Sequence, residues 1–156
     1  MVKQGLKAPE FTLLDQYGKK HSLSDYLGKW IILYFYPKDM TPGCTVEACN
    51  FRDEFPNFQN LNTIILGISK DSVKRHATFA DKYNLEFPLL SDADGKVCDT
   101  YDVWKEKFRY GRTFMGIIRS TFLIDPQGKI ARIYPKVNVK EHAAELLNDL
   151  HTLKGI

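Results

Sequence analysis

Cysteine is scarce in this sequence: three residues among 156. A small, odd number argues against a secreted disulfide framework. Cys44, Cys49 and Cys98 also form no C-x-x-C pair of the kind that builds a structural zinc knuckle, so no metal site is expected. Long hydrophobic runs are lacking too. The longest, Trp30 to Tyr36, spans seven residues, far short of a membrane crossing. Met1 to Glu10 has neither the apolar core nor the small-residue cleavage site of an export signal, and no N-x-[ST] glycosylation site occurs. These absences predict a soluble chain in a reducing, cytoplasmic compartment, with no membrane partner. Charge of one sign is nearly balanced, with 22 Lys and Arg against 19 Asp and Glu for a formal net charge of +3. That permits an anionic partner without demanding one. There is no internal repeat and no low-complexity linker. What remains, 44% hydrophobic and 26% charged, is the composition of an ordinary globular chain. Residues 1–156 are expected to form a single domain.

Segments of opposite hydrophobic period alternate along the chain, the pattern of an α/β protein. Phe11 to Leu14 reads as a strand, turning at Asp15 to Gly18 and pairing with Lys20 to Ser22. Ser24 is placed to cap a short turn before Gly28. Trp30 to Phe35 is a continuous apolar run rich in aromatic and β-branched residues, as in a central strand buried on both faces. A helix is predicted from about Thr41, with an apolar face through Val46, Ala48, Cys49, Phe51 and Phe55, ended by Pro56. Thr63 to Ser69 is a second buried strand, and Asp71 or Ser72 caps a helix through Tyr83. Phe87 to Ser91 is extended, and Lys96 to Tyr101 forms a short helix. Residues 104–118 read as an irregular excursion. Ser120 to Ile124 and Lys129 to Tyr134 flank the turn Asp125 to Gly128. Val139 to Leu153 closes the chain as an amphipathic helix with Ala143, Leu146, Leu147, Leu150 and Leu153 on one side. The order, a hairpin, then β-α-β-α, an insertion and β-β-α, is the connectivity of a thioredoxin-like fold. It carries an N-terminal β-hairpin extension and an insertion before the last β-hairpin.

In open α/β sheets chemistry lies beyond the carboxyl ends of the strands. Here that place is the loop 37–43 and the helix start that holds Cys44. A cysteine in the first turn of a helix meets free N–H groups and the positive end of the macrodipole, and both favour a thiolate. Thr41, three residues earlier, can turn its hydroxyl to the same spot, and Pro42 and Gly43 leave a tight entry. Cys44 thus reads as a prepared nucleophile, or as a small buried hydrophobe. Cys49 lies five residues on. In an intact helix that spacing rises about 7.5 Å and places the two Cα atoms roughly 8–9 Å apart. A disulfide needs about 7 Å or less. Either the pair never bonds, with Cys49 a core residue beside Val46, or a turn must unwind.

The residues from Pro37 through Thr41 to Cys44, in the pattern P-x-x-x-T-x-x-C, resemble the active-site motif of peroxiredoxins, thiol peroxidases built on the thioredoxin fold. The longer string from Tyr34 to Cys49, with Leu66-Gly-Ile-Ser69, Arg119-Ser-Thr-Phe-Leu-Ile-Asp125 and Ala8-Pro9-x-Phe11, is similar to the bacterioferritin comigratory protein or Q subfamily. The resemblance covers nearly the whole chain. It implies that Cys44 is the peroxidatic cysteine, that Thr41 hydrogen-bonds the peroxide, and that Pro37 shields the thiolate from bulk water. It implies further that Arg119 stabilises the thiolate and the departing oxygen, and that Glu47 orients Arg119. Cys49 matches the resolving cysteine of subfamily members that carry one five residues downstream. The spacing then requires the first turns of the helix to unwind on oxidation. The resemblance also implies hydrogen peroxide and organic hydroperoxides as substrates, a thioredoxin-like protein as reductant, and no cofactor. The Gly-Gly-Leu-Gly insertion and C-terminal Tyr-Phe segment of the overoxidation-sensitive group are absent. Intramolecular resolution in a monomer is therefore expected.

Other signals carry less. Cys98 is expected to pack as a bystander. His21, His76, His142 and His151 are scattered without ligand spacing and read as solvated surface residues. Lys105 to Arg112 mixes basic and aromatic residues. With no fold support for nucleic-acid binding, it reads as a loop near the active site touching substrate or reductant. Two rival readings stand beside the peroxidase. A thioredoxin-class dithiol exchanger is countered by Thr41, which stands where the first cysteine of a C-x-x-C would be. A non-catalytic, chaperone-like module would leave the cysteines unreactive to peroxide.

Overall fold

The apolar run does form the middle of the molecule. The computed structural model describes residues 2–156. In chain order its elements are β1 (Thr12–Leu14), β2 (Lys20–Ser22), β3 (Trp30–Phe35), α1 (Pro42–Asp53), α2 (Phe55–Asn60), β4 (Thr63–Ser69), α3 (Val73–Tyr83), β5 (Leu89–Ser91), α4 (Lys96–Thr100), β6 (Trp104–Arg109), β7 (Arg112–Ile117), β8 (Ser120–Ile124), β9 (Ile130–Tyr134) and α5 (His142–Lys154). Seven strands make one sheet in the order β2-β1-β5-β4-β3-β8-β9, and β6 and β7 pair apart from it. β3 runs parallel to β4, from Trp30 against Thr63 to Phe35 against Ile68, and antiparallel to β8.

Burial on both faces of β3 divides the core in two. Ile32 and Tyr34, with Tyr36 just beyond, join Cys44, Ala48, Phe51, Phe58, Phe79, Leu146 and Leu150 on one side. Ile31, Leu33 and Phe35 join Leu66, Ile68, Cys98, Tyr101 and Phe122 on the other. The period of two in a strand produces this split. Gly67 stands beside Tyr34 in the ladder, and a Cβ there would lie 2.8 Å from the tyrosine ring. Glycine is what lets the ring lie across β4.

The structure departs from the sequence reading in several places. The short turn before Gly28 is a 3-10 turn over Leu23–Tyr26. Ser22, not Ser24, caps it, and its N–H donates to Asp25 Oδ2 at 2.9 Å. The helix that Pro56 was expected to end stops at Asp53, and Pro56 instead opens α2. Proline fits a first turn because no N–H is needed there. The buried face of α1 is Cys44, Glu47, Ala48 and Phe51, while Val46 is 39% exposed. The last helix begins three residues later than expected, because the Asn138 side chain accepts the Lys140 N–H and holds a turn ahead of it. Leu153 is exposed rather than packed.

The largest departure is the supposedly irregular stretch 104–118, which is a hairpin paired from Trp104 against Ile117 to Arg109 against Arg112. Its tip, Tyr110 (φ 54°) and Gly111 (φ 71°), has both residues in the left-handed region, as a two-residue hairpin loop of the I′ kind requires. Among the described residues no helix is long and apolar enough to cross a membrane.

Candidate active site

β3 ends at Phe35 and delivers the chain to a loop on the α1 side of the sheet. Met40, at φ 67°, reverses the backbone. Thr41 caps α1 in an extended conformation, and Pro42 and Gly43 form its first two positions. Cys44 is therefore the third helical residue, with its side chain buried. Thr41 Oγ1 donates to the Lys38 carbonyl at 2.7 Å, which leaves the hydroxyl oxygen free to accept. Pro37 is half-buried at the mouth of the loop.

Arg119, between β7 and β8, reaches across to this helix start. Its Nη2 donates to Cys44 Sγ at 3.3 Å and its Nη1 to Glu47 Oε1 at 2.7 Å. Gly43 makes the approach possible, since a Cβ there would lie 3.1 Å from Nη2. Glu47, one turn after Cys44, is buried rather than solvated. Burial pushes its carboxyl up to about 7 against the opposing pull of Arg119. Burial works against the Arg119 charge as well, but Glu47 and Cys44 outweigh it and hold the guanidinium positive. Glu47 Oε2 and Tyr34 Oη are buried without hydrogen-bond partners among the described residues.

Cys49 is half-buried in the same unbroken helix, and all three cysteines are free thiols. Cys98, the third residue of α4, is fully buried, and its backbone N–H donates to Asp92 Oδ2 at 2.8 Å. Burial, then the Asp92 carboxylate, pushes its thiol well up.

Three of the four histidines read as surface residues are buried: His21, His76 and His142. His21 Nε2 lies 2.7 Å from Asp15 Oδ2, and Nδ1 meets the Tyr26 hydroxyl. His142 bridges Thr121 Oγ1 at 2.8 Å and Glu145 Oε1 at 2.9 Å. His76 supports the active-site loop. Its Nε2 faces the Leu90 carbonyl at 3.1 Å and its Nδ1 lies 2.6 Å from Asp39 Oδ2. The Tyr36 hydroxyl donates to Asp39 Oδ1 at 2.6 Å, and the Asp39 N–H donates to Asp71 Oδ2 at 2.8 Å. Arg75 ties in the same loop, through Asp71 at 3.1 Å and the Asp39 carbonyl at 3.2 Å. Ligand atoms of Asp39, Asp71 and His76 lie within 4.8 Å of one another. Each is already engaged within the protein, so the cluster reads as an anchor for residues 37–41. The sequence carried a signal for it: His76 sits on the apolar face of α3 with Phe79 and Ala80.

A buried cysteine at a helix start, an arginine on its sulfur and a sheet with parallel and antiparallel neighbours of β3 together define a thiol redox enzyme of thioredoxin-like fold. Residues 4–133 match the AhpC/TSA family, and the chain belongs to that family. It is 50% identical over 149 residues to peroxiredoxin Bcp of Bacillus subtilis, covering 96% of this chain and 95% of that one. It is 44% identical to peroxiredoxin Bcp of Escherichia coli, over 94% of each. Among solved structures, a cysteine-to-serine mutant of Xylella fastidiosa PrxQ superposes with a TM-score of 0.94 at 40% identity, over 99% of this chain and 98% of that one. The bacterioferritin comigratory protein of Xanthomonas campestris, described in terms of alkyl peroxide reduction, superposes at 0.90 with 40% identity, over 97% and 99%. The protein is thus a peroxiredoxin of the Bcp/Q group, and its activity is that of a peroxidase.

Proposed function

We propose that residues 1–156 act as one peroxiredoxin domain that reduces hydrogen peroxide and organic hydroperoxides through Cys44, with Cys49 as the resolving thiol. The observation that carries this is Arg119, which holds Cys44 Sγ at 3.3 Å and Glu47 at 2.7 Å from one guanidinium. A planar cation with several donors can favour negative charge on the sulfur. It can then follow that charge to the oxygen that leaves. Glu47 fixes the plane of the guanidinium. Thr41, its own proton on Lys38, accepts the O–H of the hydroperoxide and lines up the O–O bond. Pro37 limits water at the sulfur.

The Cys44 thiolate attacks one peroxide oxygen and the O–O bond breaks. The electron pair leaves with the second oxygen, which takes up a proton as water or an alcohol. Cys44 is left as a sulfenic acid. Cys49 sulfur then displaces hydroxide, giving the Cys44–Cys49 disulfide and water. Both cysteines lie in α1, so the opening turns of this helix unwind for the bond to form. A thioredoxin-type dithiol supplies the two electrons and two protons that restore the thiols. The chain works as a monomer in a reducing, cytoplasmic compartment.

Equimolar peroxide followed by intact-mass measurement tests the reading. Loss of two hydrogens, with peptide mapping that joins residues 44 and 49, is expected. Cys49→Ser is expected to accumulate sulfenic acid at Cys44. A chain that stays fully reduced overturns the proposal.

A further inference from the structure

The β6–β7 hairpin is unusual in composition and in place. It carries Lys105, Lys107, Arg109 and Arg112 against Glu106 alone, a balance of +3 that equals the net charge of the whole chain. All other residues together sum to zero. Alternation along the strands and the pairing of Lys107 with Phe114 and Arg109 with Arg112 put the four cations on one face. Phe108 and Met115, 74% and 50% exposed, stand on the other.

The basic face adjoins the reactive cysteine. Lys107 packs over Gly116 and donates to the Ile117 carbonyl at 3.0 Å, two residues before Arg119. Burial, then the nearby Arg119 and Arg109 cations, holds its ammonium below the ordinary lysine range, with Cys44 pulling the other way. From Lys107 the cationic row runs outward to Arg109 and Arg112 beside the exposed tip residue Tyr110.

Resting on the disulfide cycle proposed above, we infer that this basic face is the docking surface for the protein dithiol that reduces Cys44–Cys49, and that the partner presents a carboxylate-rich surface around its own thiols. A small anionic peroxide would need a concave cation site, whereas this row lies on a projecting ribbon. A lipid surface would need an uninterrupted apolar face set opposite the cations, and here Glu106, paired with Met115, puts a carboxylate on the face that carries Phe108, while Phe114 stands among the cations. A reductant must come to this side of the sheet, where α1 and Arg119 lie. Opposite charge would speed its encounter.

The test compares wild type with Arg109→Glu/Arg112→Glu, with Arg109→Gln/Arg112→Gln as the milder pair should the first fail to fold. A thioredoxin with an acidic surface and the small dithiol dithiothreitol serve as alternative reductants. The expected result is a fall of about 10-fold or more in kcat/KM for thioredoxin at low ionic strength. Added salt should slow the wild-type reaction and leave the variant nearly unaffected. Single-turnover oxidation by hydrogen peroxide and reduction by dithiothreitol should stay unchanged. Unaltered thioredoxin kinetics overturn the inference. So does an equal loss with dithiothreitol, which would mean that the tip acts through the cysteine itself. Unaltered thioredoxin kinetics with lost binding to phosphatidylglycerol vesicles would reassign the face to a membrane. If thioredoxin leaves the wild-type disulfide oxidised, the reductant reading itself falls and the docking surface with it. If only the charge reversal is silent, the docking surface falls alone.

Discussion

Cys44 and Cys98 occupy matching positions. Each is the third residue of a helix, each is buried, and each sits on one side of the same sheet, Cys44 with the core above β3 and Cys98 with the core below it. What differs is the charge that meets them. Cys44 faces the Arg119 guanidinium, whereas Cys98 faces the Asp92 carboxylate, itself buried. A helix start therefore does not by itself make a cysteine reactive. The sign of the side chain brought to it by the rest of the fold decides, and with Asp92 in place Cys98 remains a neutral thiol that fills space.

Five substitutions would break or sharpen that contrast. Cys44→Ser should lower peroxide turnover by at least about 1,000-fold, because among the described residues no other thiol accepts a hydrogen bond from a cationic side chain. Arg119→Met should slow single-turnover oxidation of Cys44 by roughly 100- to 1,000-fold. Arg119→Lys should recover only part of this, since an ammonium cannot hold the sulfur and Glu47 together. A rate within threefold of wild type would detach the cation from the chemistry.

Glu47→Gln acts on stability. The Glu47 carboxyl is raised from the ordinary 4.5 to about 7. Between those values the folded state binds a proton that the unfolded chain has lost, so this residue makes stability fall as pH rises from about 4.5 to 7. The full effect is about 3 kcal/mol. Urea midpoints should show the Gln variant gaining on wild type across that window, and a constant difference from pH 5 to 8 would refute the buried acid. At the small end, Cys98→Ala should leave peroxide kinetics untouched and lower stability by about 1–2 kcal/mol through lost packing.

The parts of this molecule that could be read from its residues are those whose neighbours are close in sequence or whose burial is symmetric. β3 and the Ile64–Ile68 stretch of β4 carry only hydrophobic side chains because both faces are covered, and the β8–β9 turn carries Asp125-Pro-Gln-Gly128. The segment from Pro37 to Cys44 is contiguous, so its chemistry stands in one line of text. The β6–β7 hairpin was hidden because most of its side chains are exposed, so no hydrophobic alternation marks it, and Tyr-Gly is a weaker turn signal than Asn-Gly. Arg119 is separated from Glu47 by 72 positions, and only resemblance to a family linked them. Two of the buried histidines failed for a related reason. Their partners, Asp39 for His76 and Thr121 for His142, lie 37 and 21 residues away, and an isolated histidine looks polar until a partner is found.

The continuity of α1 carries a consequence for energetics. The proposed 44–49 disulfide would close a ring of only six residues, so chain entropy would contribute little to it, and the bond would form at the expense of helical turns. The stability of those turns is thereby linked to the reduction potential of the pair. For a two-electron couple, about 1.4 kcal/mol corresponds to about 30 mV. Val46, exposed between the two cysteines, offers a handle. Val46→Ala should firm the reduced helix by about 0.5 kcal/mol and raise the potential by about 10 mV, measurable against a glutathione buffer. On the proposed disulfide cycle, the oxidising power of the enzyme would be set in part by the helix propensity of its own active-site segment.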